Sequence, residues 1–159
     1  MSDSVVVTTP SDREIRVTRS FAAPAQLVFD FHTTPEHLRK WLLGPPGWSM
    51  PVCELDLRTG GHYRYVWRND AGGQEFGVQG EFREVKAPSR IVHTETMDGR
   101  PGEALCTLVL SECGPQTTLE LTMWFSSKEE RDAALESGMT EGMSVSYDRL
   151  AENMSGAGG

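Results

Sequence analysis

Histidines are the first residues in this sequence to weigh for chemistry, because imidazole can ligate a metal or carry a proton near neutral pH. His32 and His37 lie five residues apart across an expected helix boundary, and His62 and His93 stand alone. None has a partner at metal-ligand spacing, so the sequence predicts no metal site. His32 remains a candidate acid or base, because an apolar hollow shifts the pKa of an imidazole. A single histidine without a partner is more often a structural group.

Motifs for nucleophilic or nucleotide chemistry are not found in the sequence. No GxSxG is present, and Gly60-Gly61 is followed neither by GKS or GKT nor by the start of a helix, so it predicts a hairpin turn. Asp56, Arg58 and Glu84 lie near that turn, and we expect ion pairs at the rim of a sheet rather than ligand contacts. We therefore predict a protein without catalytic residues or a cofactor.

The cysteines indicate a reducing compartment. Cys53, Cys106 and Cys113 are odd in number and none forms a CxxC pair, so we expect free thiols. Cys53 and Cys106 lie in apolar strand patterns, where a free cysteine behaves as a small hydrophobic residue.

Charge and hydropathy exclude two classes of partner. The net charge of -8, from 23 acidic and 15 basic residues, makes nucleic acid an unfavourable partner. No apolar run has the length that a membrane helix needs, which argues against membrane insertion. The first ten residues lack the basic and apolar segments of a secretory signal, so a cytoplasmic location is expected.

The elements that position these residues begin with one strand and two short helices. Residues 13–20 alternate polar and apolar side chains, the period of a half-buried strand. Pro24 and Pro35 each open a short helix, and Gly44-Pro45-Pro46-Gly47 must end the second. Helices this short cannot carry a core alone, so we expect them to close one end of a larger layer.

Turn signals recur at intervals of about 8 to 12 residues between positions 51 and 125 and predict six more strands. They are Gly60-Gly61, Asn69 to Gly73, Ala87-Pro88, Asp98 to Gly102 and Gly114-Pro115. One face of the sheet is apolar and the other polar. The apolar face carries Tyr63, Tyr65 and Trp67, then Val78, Gly80 and Phe82, then Leu119, Leu121, Met123 and Phe125.

The last element is a long helix. Ser127 and Glu130 form a capping box at its start. An apolar stripe at steps of three and four follows, made of Leu135, Met139, Met143, Tyr147, Leu150 and Met154. A glycine inside a helix costs about 1 kcal/mol relative to alanine, so we expect a break near Gly138. Only this helix is long enough to cover the dry face of the sheet.

Together these elements predict one α+β domain at residues 12–154, with flexible ends at 1–11 and 155–159. A seven-stranded antiparallel sheet curves around the C-terminal helix, and the two short helices follow the first strand. A hollow between sheet and helix, walled by aromatic residues with polar tips, fits a ligand site. The alternative is that these residues only fill a packed core. The predicted ligand contacts are His32, Trp41, Trp48, Tyr63, Tyr65, Trp67, Val78, Phe82, Met123, Met139, Met143 and Tyr147.

A series of short segments in order over residues 13–153 carries a resemblance to a known family. The segments are Ala23-Pro24 with Val28-Phe29, Thr34-Pro35-Glu36-His37-Leu38 with Trp41, Gly44-Pro45 with Gly47, Asp56-Leu57-Arg58-Thr59-Gly60-Gly61 with Tyr63 and Tyr65, Gly80-Glu81-Phe82-Arg83-Glu84-Val85 with Pro88 and Arg90-Ile91-Val92, and Gly142-Met143 with Asp148-Arg149-Leu150. The sequence resembles the activator of heat-shock protein 90 ATPase homologues, within the START-like, birch-pollen-allergen-like superfamily.

The resemblance implies the helix-grip fold, whose hollow serves lipid carriers, hormone receptors, cyclases and resistance proteins in that superfamily. Two departures from the family pattern change the lining of the hollow. His32 stands where the family usually has an aromatic residue, and Trp41-Leu42 replaces a pair of tryptophans.

Three classes of function stay open. The first is binding of a small apolar or aromatic molecule in the hollow. The second is a protein-partner or chaperone-linked adaptor, which would show an exposed apolar patch of several hundred square ångströms. The third is an enzyme such as a cyclase or hydrolase, which would need polar groups converging around His32. The identity of the ligand and the choice between monomer and homodimer are not set by the sequence.

Overall fold

The molecule is a single antiparallel sheet with four helices, as seen in a computed structural model that describes residues 4–43, 46–100 and 102–157. The strands are β1 Val6–Thr8, β2 Glu14–Phe21, β3 Trp48–Leu55, β4 His62–Asn69, β5 Glu75–Lys86, β6 Arg90–Met97, β7 Ala104–Cys113 and β8 Gln116–Trp124. The helices are α1 Ala25–Thr33, α2 Pro35–Trp41, α3 Lys128–Glu136 and α4 Met139–Ala157. The strand order is β1-β2-β8-β7-β6-β5-β4-β3, and each neighbouring pair is antiparallel.

The sheet has eight strands where the sequence predicted seven. The additional strand is β1, which pairs with β2 through Val7 opposite Val17 and lies inside the segment 1–11 that we expected to be flexible. Three residues are too short for the alternation signal that predicts a strand. At the other end, α4 continues three residues past position 154.

The period-2 pattern of β2 fixes which side chains face the helices. Ile15, Val17 and Phe21 are buried, and so is Arg19, which shares their face. The Arg19 guanidinium donates a hydrogen bond of 2.7 Å to the Asp148 carboxylate of α4 and lies over the ring of Phe21. The charged residue thus joins the first full strand to the last helix.

The two short helices close one end of the sheet, as the proline positions predicted. Pro35 is the first residue of α2, and Pro24 precedes α1 as its cap. Trp41, the last residue of α2, is buried and donates its indole N–H to the carbonyl of Phe31 at 2.8 Å. The run expected to end this helix starts at positions 44 and 45, which lie outside the described residues.

The C-terminal helix is interrupted where the sequence predicted a break. Ser127 caps α3 by accepting a hydrogen bond from the backbone N–H of Glu130 at 3.1 Å. Gly138 then adopts a φ of 84°, a left-handed conformation that glycine tolerates best, and α4 begins at the next residue. The break redirects the chain, so that α4 packs against α1, α2 and β2.

The core lies where α4 meets the first two helices and the β2 side of the sheet. Its fully buried members include Val28, Phe31, Leu38, Leu119 and Leu150. All three cysteines are free, with Cys53 and Cys106 buried in strands and Cys113 exposed. Over the described ranges, no helix combines the length and apolar character needed to cross a bilayer.

Candidate ligand-binding site

A hollow of about 620 Å³ lies between the first half of α4 and the sheet. All twelve side chains that the sequence predicted as ligand contacts line it. They are His32, Trp41, Trp48, Tyr63, Tyr65, Trp67, Val78, Phe82, Met123, Met139, Met143 and Tyr147. The geometry of the predicted wall is therefore present, and its contact with a ligand stays a prediction.

The sheet side of the hollow is built from aromatic residues at alternate positions of β4. Tyr63 lies 5.0 Å from Tyr65 between ring centres, and Tyr65 lies 6.1 Å from Trp67. Because side chains alternate across a strand, all three rings reach the same face. Phe82 of β5 extends this row at 5.5 Å from Tyr63. The rings form a continuous apolar wall across two strands.

The sequence also placed Gly80 on this face, between Val78 and Phe82, and the structure shows no open space beside it. A Cβ on Gly80 would overlap the carbonyl oxygen of Thr94 and lie 2.8 Å from the ring of Tyr63. Tyr63 thus crosses β5 where a side chain is missing. Gly80 permits a close approach of ring and backbone, and a larger residue there would not enter the hollow.

The inner end of the hollow is made by α1 and α2 together with α4. Trp41 stacks on Tyr147 with ring centres 5.8 Å apart and meets His32 edge-on at 4.8 Å. The Nδ1 of His32 lies 2.7 Å from the carbonyl oxygen of Val28, so it carries the proton and donates. The Nε2 of the same ring is buried without a hydrogen-bond partner among the described residues. Burial lowers the pKa of His32 from 6.5 to about 4.

The mouth of the hollow is marked by lining residues that are also exposed to solvent, Phe76, Arg100 and Gly138. Phe76 stacks on Trp67 at 5.0 Å and meets Trp48 edge-on at 5.5 Å. The indole N–H of Trp67 donates to the Leu42 carbonyl at 2.6 Å. The break before α4 and the start of β5 thus frame an opening with an aromatic edge.

Strand β6 brings polar groups into the apolar wall that were not predicted from the sequence. Ile91, His93, Glu95 and Met97 alternate along the strand and all line the hollow. Desolvation raises the pKa of the Glu95 carboxyl and lowers that of His93. The two-residue period of a strand was a usable signal, because an inward Ile91 places position 95 on the same face.

Tyr63 and His93 are joined by hydrogen bonds at the sheet wall. The Tyr63 hydroxyl donates to the Thr94 carbonyl at 2.7 Å and lies 3.1 Å from Nδ1 of His93. With its single proton given to Thr94, the hydroxyl oxygen accepts from His93, so His93 carries its proton on Nδ1. Desolvation also raises the pKa of Tyr63 far above that of a free phenol, so the hydroxyl keeps its proton.

A second depression of about 530 Å³ has a different lining and lies on the opposite face of the sheet, because His62 and Arg64 alternate with Tyr63 and Tyr65 along β4. Among its lining residues are Glu54, His62, Arg64, Glu81 and Arg83. Several of these charges are paired, as in Arg83 with Glu81 at 2.8 Å and Arg64 with Asp98 at 2.7 Å. Paired, solvated charges are typical of an ordinary protein surface.

The charged residues near the predicted hairpin turn form ion pairs, as expected. Arg58 lies 2.8 Å from the Asp56 carboxylate, and Arg90 lies 3.0 Å from that of Glu84. None of these four residues lines the hollow. Within the described part of the chain, no three histidine, cysteine or carboxylate side chains come together as a metal site.

Comparison with known proteins agrees with this architecture. The structure matches that of a protein from Rhodobacter sphaeroides with a TM-score of 0.92 and 29% identity, over 97% of this chain and 99% of that one. A protein from Nitrosomonas europaea matches with a TM-score of 0.78 and 27% identity, over 89% of this chain and 94% of that one. A protein from Mycobacterium smegmatis, 22% identical, shares the fold with a TM-score of 0.84, over 96% of this chain and 99% of that one.

A search of curated proteins finds no significant match to the chain. A family model described as "Activator of Hsp90 ATPase homolog 1-like protein" matches residues 22–155, which include α1, all strands from β3 to β8 and most of α4. The chain belongs to this family.

Proposed function

We propose that the protein binds a small, largely apolar molecule in the hollow and does not convert it. The observation that carries the proposal is the hollow itself, about 620 Å³ in volume with aromatic and aliphatic walls. Ligand pockets in proteins span roughly 300 to 1,000 Å³ and combine such walls with a few polar groups. The free cysteines support a cytoplasmic setting for this function.

The exposure of the inward-facing residues favours a ligand site over a packed core. Tyr65, Trp67, Met139 and Met143 face the hollow and are only partly buried, whereas Leu150 and Met154 farther along α4 are buried. Protein interiors are close-packed, with few voids larger than a water molecule. A space of this size beside aromatic side chains therefore offers apolar surface that a ligand would cover.

The direct test is titration with a neutral apolar fluorescent probe, N-phenyl-1-naphthylamine. We expect saturable binding near one probe per chain and quenching of the tryptophans that line the hollow. Trp124 does not line it and supplies an internal control. Trp67→Phe should remove much of the quenching, and Trp124→Phe should leave it. Probe uptake that never saturates would contradict a defined site.

A variant that fills the hollow tests the location of binding. Met143→Trp on α4 places a larger ring into the space, and we expect probe affinity to fall at least tenfold with the fold retained. The matched control is Val145→Trp on the same helix, where the native side chain is 39% exposed and does not line the hollow. Equal probe affinity in both variants would place the probe elsewhere on the protein.

A further inference from the structure

The Glu95 carboxyl is a charge-bearing group without a partner inside the hollow. It lies at the third inward position of β6, between His93 and Met97, and its backbone pairs with Ala104 of β7. The carboxyl makes no hydrogen bond or ion pair with any residue of ranges 4–43, 46–100 and 102–157. A carboxylate without a partner in largely apolar surroundings is costly, and a bound cation would offset that cost.

The groups that face Glu95 add no charge of their own at neutral pH. Tyr63 and Tyr65 lie on β4 and Cys106 on β7, and desolvation raises the pKa of all three. His93, two residues away on β6, has a lowered pKa and is neutral. Arg100 is the one cation among the described lining residues, and it is exposed at the mouth.

Two imidazole nitrogens add hydrogen-bond acceptors to the wall. The proton on Nδ1 of His32 and of His93 leaves each Nε2 with a free lone pair. Of the three indoles that line the hollow, two have used their donors, since Trp41 donates to Phe31 and Trp67 donates to Leu42. The carboxyl of Glu95 and these imidazole acceptors favour a ligand that brings hydrogen-bond donors.

Aromatic rings surround the same space and attract cations through their faces. Trp67, Tyr65 and Trp41 line the hollow together with Glu95. The net charge of -8 also favours the approach of a cation over that of an anion. Carboxylate, free acceptors and ring faces all select for one ligand chemistry.

We propose that the hollow selects a hydrophobic organic ammonium ion, whose charged nitrogen pairs with the Glu95 carboxylate while its apolar body lies against the aromatic wall. This inference rests on the proposed function and names the class of its ligand. Binding forms an ion pair and hydrogen bonds only, with no covalent step.

The test uses three probes of one shape, 2-naphthylmethylammonium, 2-naphthylmethanol and 2-naphthoate, measured by titration calorimetry at pH 7.5. We expect the ammonium to bind at least tenfold more tightly than the alcohol, and the carboxylate to bind most weakly. Glu95→Gln keeps the shape and removes the charge, and should weaken ammonium binding about 10- to 100-fold, the size of a charged hydrogen bond. Alcohol binding should stay within about twofold.

The matched control is Glu54→Gln on β3, which removes a carboxylate outside the hollow and should change none of the three affinities. Circular dichroism verifies that both variants fold. If the alcohol binds as well as the ammonium, or if Glu95→Gln leaves ammonium binding unchanged, the inference is wrong and the proposed function stands. If no probe binds, both are wrong.

The dependence on pH separates an ion pair from a protonated Glu95 that donates to a neutral ligand. Ammonium binding should weaken as pH falls through the raised pKa of Glu95, by at most tenfold per pH unit, because protonation removes the ion pair. The pKa of His32, about 4, keeps that ring neutral over most of this range. Binding of a neutral ketone, 2-acetylnaphthalene, that strengthens as pH falls, with no such loss for the ammonium, would overturn the inference.

Discussion

The two halves of α4 meet different surroundings, although one apolar stripe runs along the whole helix. Its C-terminal half carries Leu150 and Met154, which are buried. Its N-terminal half carries Met139 and Met143, which are partly buried and border the hollow. The same kind of residue at the same helical spacing is therefore core at one end and ligand surface at the other.

The difference arises from what lies opposite each half. Helix α4 packs against α1, α2 and β2, and the residues of its C-terminal half belong to one buried core with Val17 and Val28. The open half looks toward β4 and β6, where Tyr63, Trp67 and Glu95 line the hollow. Large rings that contact one another along the sheet hold the wall in place without help from the helix.

The largest expected effect comes from the same substitution, methionine to alanine, made in each half of α4. Met154→Ala leaves a void in close packing and should lower the free energy of unfolding by about 2 to 5 kcal/mol. Met143→Ala enlarges a space that already exists and should cost less than about 1 kcal/mol. Urea unfolding at pH 7.5 measures both.

Both variants delete the same atoms and replace methionine by a good helix former, so intrinsic propensity cancels between them. Equal losses of unfolding free energy would show that the open half of α4 is as closely packed as the other half. A larger loss for Met143→Ala would reverse the comparison.

Much of the fold follows from local patterns in the sequence. Alternation in β2, the proline at the start of α2 and the glycine before α4 each act over a few residues, and each prediction is confirmed. The strand Val6–Thr8 was not predicted, because three residues are too few to show the two-residue period of a strand. Its pairing depends on the free edge of β2.

The site was predictable in its apolar part and less so in its polar part. The aromatic residues of β4 predicted an apolar wall, because the alternation of side chains along a strand puts them on one face. Glu95 and His93 were missed, since polar residues in a strand usually mark its wet face. The lack of space at Gly80 also could not be predicted, because it depends on the path of the Tyr63 ring across β5.

The second test measures how stability depends on pH through His32, which lines the hollow. Folding lowers the pKa of His32 from 6.5 to about 4, so the unfolded chain binds this proton more readily. His32 leaves the free energy of unfolding almost unchanged above about pH 7. It lowers that free energy as pH falls from 6.5 toward 4, because the unfolded chain takes up the proton first. Between pH 7 and pH 5 we expect a loss of about 1 to 2 kcal/mol.

His32→Gln should remove that part of the pH dependence, measured as the difference in urea unfolding between wild type and variant at each pH. Taking the difference also cancels Glu95, whose raised pKa acts in the opposite direction. The control is His62→Gln, an exposed position that does not line the hollow. An unchanged pH profile in His32→Gln would mean that the imidazole is solvated in the native state.

The smallest expected effect compares two neighbours within the hollow wall itself. Tyr63 donates its hydroxyl proton to the Thr94 carbonyl at 2.7 Å, so Tyr63→Phe removes a hydrogen bond to that carbonyl and one from Nδ1 of His93, which keeps only its 3.2 Å contact with the same carbonyl. The cost should be about 1 to 2 kcal/mol of unfolding free energy. The hydroxyl of Tyr65 makes no hydrogen bond with the described residues, and Tyr65→Phe should change stability by less than about 0.5 kcal/mol. Tyr65→Phe should nevertheless alter the affinity of probes that reach its hydroxyl. If Tyr65→Phe loses as much stability as Tyr63→Phe, then Tyr65 is also a structural anchor and not a free surface of the hollow.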